Sequence, residues 1–329
     1  MPVTVIEYVR DDEGVWTLPR PLVEALARRF PAVRFESPAD RAAAERLLPA
    51  AEVVFGGLLD ADNFARARRL RWVHAPAAGV ASLLFPALVG SEVVLTNARG
   101  LHAVSMAEHA LGLLLTFARK LHLARDLQRA HRWGQVALWT EPPAFGRLAG
   151  GTLGLVGLGA VGSALAARAA ALGLRVIALR PHPRPDPAPA HEQWGPERLG
   201  ELLERADWVV LAAPHTAATR GLIGAAELAR MKPGAVLVNL GRGALVDEPA
   251  LVAALREGRI AGAALDVVRG EPLEAASPLW DLPNVVITPH VAGLGPGHWE
   301  GAVEQFAGNL RRYLAGEPLV NVVDKRAGY

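Results

Sequence analysis

Cysteine is absent from the 329 residues. Disulfides, iron–sulfur clusters, thiolate zinc sites and a catalytic thiol are therefore excluded. Lysine is scarce as well, being confined to Lys120, Lys232 and Lys325. No excess of one charge sign exists: 35 Lys and Arg against 33 Asp and Glu leave a formal net charge of +2, which makes no basic face for nucleic acid. A long uninterrupted apolar run is also lacking. Residues 153–179 come nearest, but they include Arg168, Arg175 and five glycines, which a membrane-spanning helix would rarely combine. The opening MPVTVIEYVRDDEG meets acidic residues too early to hold the apolar core of a signal peptide. These absences lead us to expect a cytoplasmic protein with neither membrane nor nucleic acid as partner.

The chain is instead rich in apolar residues, 51% of the total against 21% charged. That composition supports a sizeable core and argues against general disorder. The length suggests two domains. In the first hundred residues, β-branched runs at 3–9, 33–36, 52–55, 70–74 and 92–96 alternate with helical patterns at 21–30 and 41–48. The rhythm is βαβ and implies a parallel sheet with helices on its faces. Ser105-Met106-Ala107-Glu108 reads as a capping box opening a helix that reaches about Leu121 and leads into a second domain. There the alternation resumes, with strands expected at 152–156, 174–179, 208–213, 235–240, 262–267 and 284–288. The tail at 298–314 has an amphipathic helical pattern, and Asn321-Val322-Val323 fits a sheet edge. The proline-rich piece 181–189 reads as a loop.

Gly157-Leu158-Gly159-Ala160-Val161-Gly162 follows a predicted strand and opens a helix. A lone GxGxxG carries little weight, but in this context it reads as a dinucleotide site. The first glycine permits the tight turn, the second lets backbone approach a pyrophosphate, and the third lets helix and strand pack closely. An NAD site places an acidic residue at the end of the second strand, about 20 residues on. Here that strand ends in Arg180, with His182 and Arg184 beyond, and no Asp or Glu stands between Glu141 and Asp186. Guanidinium groups can grip a ribose 2′-phosphate that a carboxylate would repel. NADP(H) is therefore the favoured cofactor, with NAD(H) the alternative. Pro214 and Leu240, each just beyond a predicted strand, join the expected cofactor contacts, and His215 stands beside the first.

Three polar constellations lie at the carboxyl ends of predicted strands, the edge where an open α/β sheet binds ligands. They are Asn239-Leu240-Gly241-Arg242-Gly243, Asp266 leading to Glu271-Pro272, and Thr288-Pro289-His290-Val291-Ala292-Gly293. Gly293 is included among the cofactor contacts. Hydride arriving at a carbonyl carbon leaves an alkoxide that needs a proton, and a histidine titrating near neutral pH can give it. A neighbouring carboxylate favours imidazolium and holds the ring. An arginine can clamp a substrate carboxylate and polarise the keto oxygen. Each residue alone has a structural explanation; their convergence on one edge points to chemistry.

Along nearly its whole length the chain resembles the D-isomer-specific 2-hydroxyacid dehydrogenase family. The resemblance rests on Leu95-Thr96-Asn97-Ala98-Arg99-Gly100, Ala107-Glu108-His109, the glycine fingerprint, Met231-Lys232-Pro233-Gly234, the Arg242 segment, Asp266, Glu271-Pro272 and Thr288-Pro289-His290. It implies an α/β fold with a Rossmann dinucleotide-binding domain (100–294) inserted in a smaller flavodoxin-like substrate domain (1–99 and 295–329), an active site in the cleft, and a homodimer. It further implies that Arg242 binds substrate, Glu271 partners His290, and His290 is the acid/base. The amides of Ala78 and Gly79 would hold the substrate carboxylate, and Asp266 would meet the nicotinamide carboxamide. In two places the chain departs from the family pattern. Ala81 stands where the family often has Asp directly after the Gly-Val of the substrate loop, and Arg180 replaces the acidic residue, as in glyoxylate/hydroxypyruvate reductase branches that prefer NADPH.

The expected function is reduction of a small 2-keto acid such as glyoxylate or hydroxypyruvate to the D-2-hydroxy acid. The alternatives are a corepressor-like NAD(H)-binding redox sensor and a phosphite-type dehydrogenase of the same family. No metal is expected: His102, His109, His122 and His131 flank or occupy the bridging helix without metal-ligand spacing and read as surface or packing residues. Room for the serine-sensing domain of long phosphoglycerate dehydrogenases is not expected.

Overall fold

The computed structural model describes residues 2–10 and 16–328. Asp11, Asp12 and Glu13, part of the argument against a signal peptide, lie outside them. The chain divides into two compact units, Met1–Leu101 with Gly295–Tyr329, and His102–Leu294.

The first unit begins with β1 (Thr4–Tyr8), α1 (Arg20–Arg29), β2 (Arg34–Glu36), α2 (Arg41–Leu47), β3 (Val53–Gly56), β4 (Trp72–Ala75), the short α3 (Pro86–Val89) and β5 (Val94–Asn97). The strands form one parallel sheet in the order β2-β1-β3-β4-β5, the flavodoxin-like order. Helices cover both faces, so β3 and β4 are buried at every residue, which is why they read as unbroken apolar runs. The α2 helix starts where Asp40 accepts the Ala43 amide at 2.7 Å.

The second unit contains α4 (Ala103–Ala118), α5 (Leu121–Arg129), α6 (Gln135–Thr140), β6 (Thr152–Val156), α7 (Ala160–Ala171), β7 (Arg175–Leu179), β8 (Glu192–Trp194), α8 (Leu199–Arg205), β9 (Trp208–Leu211), α9 (Ala225–Arg230), β10 (Val236–Asn239), α10 (Glu248–Arg256), β11 (Gly262–Leu265) and β12 (Val285–Ile287). Its seven strands are all parallel, in the order β12-β11-β10-β9-β6-β7-β8. This is the doubly wound Rossmann order with one further strand, and its direction reverses at β6. On one face, Ala107, Ala110 and Leu114 of α4 pack with Leu165, Ala166 and Ala169 of α7; small side chains let the two helices approach closely. The chain then returns to the first unit as α11 (His298–Ala315). Phe306 of α11 stacks on Phe55 and Trp72, with ring centroids 4.3 and 5.1 Å apart.

Every strand expected from the sequence forms, and Val322 bridges Thr96 antiparallel at the sheet edge. Three details differ. The helix expected to open with a capping box at Ser105 already starts at Ala103, with His102 as its N-cap and no side-chain cap bond, so Ser105 lies within its first turn. That helix also stops short of Leu121. It ends at Ala118, Lys120 turns left-handed at φ 53°, and α5 begins anew. The Lys120 side chain is buried, and its Nζ donates to the carbonyls of Leu138 at 2.5 Å and Glu141 at 2.7 Å, clasping α6 beneath the break. Third, β8 extends the sheet beyond β7 at residues for which no strand was expected.

Candidate active site

The glycine-rich loop links β6 to α7 at the point where strand order reverses. Gly157 has φ +103°, and a Cβ there would lie 2.8 Å from the Ala212 carbonyl; a Cβ on Gly162 would lie 2.1 Å from the Gly157 oxygen. Both close approaches require glycine. Gly159 differs, because its Cβ would meet nothing within 4 Å, and it caps α7 without any side-chain bond. The start of α7 is therefore open at the exposed Gly159 and Ala160, while Leu158 and Gly162 turn inward. A pyrophosphate fits such a site: backbone approach is unobstructed and the helix terminus is partially positive.

Arg180 follows β7, its amide donating to the Trp194 carbonyl at 3.0 Å. Neighbouring arginines are engaged, Arg175 with Glu192, Arg198 with Glu201, and Arg205 with both carboxylates. Arg180 and Arg184 form no ion pair among the described residues. Gln193 of β8, which sequence reasoning missed, holds their loop: its Oε1 accepts the Arg184 amide at 3.1 Å and its Nε2 donates to the Pro187 carbonyl at 2.8 Å. Of the other expected cofactor residues, Pro214 is exposed beyond β9, Leu240 is buried beyond β10, and Gly293 packs against the His102 ring.

The structure brings Glu271 and His290 together. Nδ1 of His290 lies 2.7 Å from Oε2 of Glu271, whose Oε1 accepts the Val268 amide at 3.2 Å. Arg242 stands beyond β10, its turn braced by Asn239, which accepts the Gly241 amide and donates to the Arg242 carbonyl. Its guanidinium donates to the Gly241 carbonyl at 2.7 Å and has no carboxylate partner among the described residues. Gly243 joins the two loops: a Cβ there would sit 1.9 Å from the Val268 carbonyl, so only glycine lets the Arg242 turn lie on the strand end that leads to Glu271. Asp266 is buried at the end of β11, bonded to the backbone around His290. His109, expected to have a surface or packing role, is partly buried and places Nε2 at 3.0 Å from the Thr288 hydroxyl. In the first unit, the loop after β4 is tied by Asn97, whose Nδ2 donates to the Ala78 carbonyl at 2.8 Å. Ala78 and Gly79 are exposed, and their amides donate to no protein acceptor among the described residues.

A doubly wound sheet with a dinucleotide loop and a histidine–carboxylate pair at its carboxyl edge defines a nucleotide-dependent class of protein. The family model described as the D-isomer specific 2-hydroxyacid dehydrogenase, NAD binding domain, matches residues 111–292, and the chain belongs to this family. It is 38% identical over 272 residues to a D-3-phosphoglycerate dehydrogenase of Mycobacterium leprae, covering 82% of this chain and 50% of the relative. The chain thus spans about half the length of the first curated relatives it matches. A glyoxylate reductase of Thermococcus gammatolerans is 36% identical over 271 residues, covering 81% of this chain and 80% of that protein. Among solved structures, an NADPH-dependent glyoxylate/hydroxypyruvate reductase of Sinorhizobium meliloti, in complex with NADP and sulfate, superposes with a TM-score of 0.83 at 29% identity, covering 99% of this chain and 100% of that one.

Proposed function

We propose that the protein reduces a small 2-keto acid, of the size of glyoxylate or hydroxypyruvate, to the D-2-hydroxy acid with NADPH favoured over NADH. The observation that carries this reading is the 2.7 Å contact between His290 and Glu271. With Nδ1 engaged by the carboxylate, Nε2 is the ring atom left to hand a proton to the nascent alkoxide. Glu271 fixes the ring and balances the imidazolium. The guanidinium of Arg242, with no carboxylate partner among the described residues, binds the substrate carboxylate and polarises the keto oxygen. In the first unit, the amides of Ala78 and Gly79 serve as further carboxylate donors. A bound nicotinamide supplies the hydride. Its dinucleotide is held by the 157–162 loop, by Pro214, Leu240, Asp266 and Gly293, and at the 2′-phosphate by Arg180 and Arg184. On this reading residues 100–294 are the dinucleotide-binding domain and the remainder the substrate domain.

The protein acts as a homodimer in this proposal, a reading supported by the strongly exposed Trp133, Val136 and Trp139 around α6. No helix among the described residues is long and apolar enough to cross a membrane. The test is a panel of 2-keto acids, glyoxylate and hydroxypyruvate included, assayed with both NADPH and NADH. Turnover of short 2-keto acids with a higher kcat/KM for NADPH is expected. Nucleotide binding without turnover of any keto acid would sink the enzymatic reading.

A further inference from the structure

His290 has φ 54°, a left-handed conformation that residues other than glycine rarely adopt and that the surroundings must enforce. The enforcement comes from Asp266. Its main-chain oxygen accepts the His290 amide at 2.9 Å. Its Oδ1 accepts the Val291 amide at 3.0 Å and the Ala292 amide at 3.2 Å, and Oδ2 accepts the Ala292 amide at 3.1 Å. Oδ1 also accepts the Thr288 hydroxyl at 2.6 Å. The loop is thus gathered on one buried carboxylate from both sides of the histidine.

A count of protons extends the network. Thr288 has a single hydroxyl proton, and it is given to Asp266. At 3.0 Å from His109 the hydroxyl oxygen therefore accepts, and His109 donates from Nε2. The same nitrogen lies 3.7 Å from Asp266 Oδ1. His109 stands on α4, 179 residues before Thr288, so the contact ties the first helix of the unit to the loop after its last strand.

We infer that His109 and Thr288 are positioning residues for His290, acting through the Asp266 carboxylate to hold the 288–292 loop in the left-handed turn that aims the imidazole. The inference rests on the reading of His290 as the proton donor. Neither residue touches the reacting atoms. The imidazole N–H orients the hydroxyl, the hydroxyl orients the carboxylate, the carboxylate orients two amides, and those amides set the ring. Removing either donor frees the loop to relax toward ordinary backbone geometry, carrying the ring away from its working position.

Thr288→Val removes the hydroxyl at nearly constant shape, Thr288→Ser restores it, His109→Leu removes the N–H, and His109→Gln offers a comparable donor. The readout is the single-turnover rate of NADPH oxidation with glyoxylate, beside NADPH affinity from fluorescence. Thr288→Val and His109→Leu are expected to slow the turnover about tenfold, the rate equivalent of one lost orienting bond, with NADPH affinity changed less than threefold. Thr288→Ser and His109→Gln recover most of the rate. In a His290→Asn background the same four substitutions change the rate less than twofold, because the group they orient is gone. An equal slowing in both backgrounds, or wild-type rates in Thr288→Val and His109→Leu, overturns the inference while leaving His290 as proton donor. A His290→Asn protein that reacts at the wild-type rate overturns that assignment, and this inference with it. Should Thr288→Val not fold, the His109 pair carries the same comparison.

Discussion

Glu271 reaches His290 with one carboxylate oxygen and the Val268 amide with the other, so the histidine is anchored to a carboxylate that is itself anchored. His290→Asn should lower kcat on the order of 10²–10⁴-fold, with cofactor affinity changed little. Glu271→Gln keeps the shape and removes the charge. Because the pair reaches solvent, the loss is expected to be smaller, roughly tenfold. Steady-state assays at neutral pH check both; a near-normal kcat in His290→Asn removes it from the chemistry.

Arg180 and Arg184 are available for an anion while their neighbours are paired. A 2′-phosphate bound by one or two guanidiniums gains charge-assisted bonds of about 1.5–3 kcal/mol each, less at an exposed loop. NADPH should therefore be preferred by tens-fold. Arg180→Asp with Arg184→Ala removes the attraction and adds repulsion, so kcat/KM should shift toward NADH, chiefly through KM. An unchanged cofactor ratio in the double variant would reduce these arginines to surface charge.

Gly243→Ala should harm stability and rate together. The added methyl meets the Val268 carbonyl at 1.9 Å, so backbone must shift, costing about 1–3 kcal/mol as overpacking does. The shift separates the Arg242 turn from the strand end before Glu271, and kcat/KM should fall at least tenfold. Denaturant unfolding and steady-state kinetics read the two effects; a variant with normal values for both would show that the loops tolerate separation.

His74, buried in β4 among Phe55, Trp72 and Phe306, makes the first unit sensitive to acid. Burial lowers its pKa from 6.5 to about 3. The folded state holds the ring neutral while the unfolded chain protonates it near pH 6.5. Its contribution is therefore intact above that pH and is lost as pH falls toward 3. Between pH 7.5 and 5 the loss is about 2 kcal/mol. In His74→Phe, denaturant midpoints should fall less steeply over this window; an identical pH slope would mean that His74 does not carry the effect.

Most strands were legible because they are short apolar, largely β-branched runs bounded by glycine, proline or charge, and the central strands of both sheets are buried on two faces. Edges were harder to read. Glu192-Gln193-Trp194 has no apolar pattern, and its strand state comes from pairing with β7. The break at Lys120 left no trace, since lysine is a good helix former and the left-handed turn is held by carbonyls 18 and 21 residues away. The apparent capping box misled because hydroxyl and carboxylate spacing says nothing of where the first helical bond forms. At the site, Arg242, Glu271 and His290 could be named from local motifs. The contact of His109 with Thr288 and the approach of Gly243 to Val268 could not, because each depends on where distant segments meet.

The clasp of Lys120 has a practical consequence. Its ammonium lies on two carbonyls under α6, and Lys325 likewise donates to the carbonyls of Leu88, Ser91 and Val93. Two of the three lysines are thus internal fasteners, while arginine supplies most of the cationic surface. Lys120 is buried, so an acylating reagent can reach its amine only when the segments around it come apart. The pace of labelling at Lys120 becomes a clock for local opening of the second unit, in a chain whose guanidinium surface leaves the reagent few competing targets.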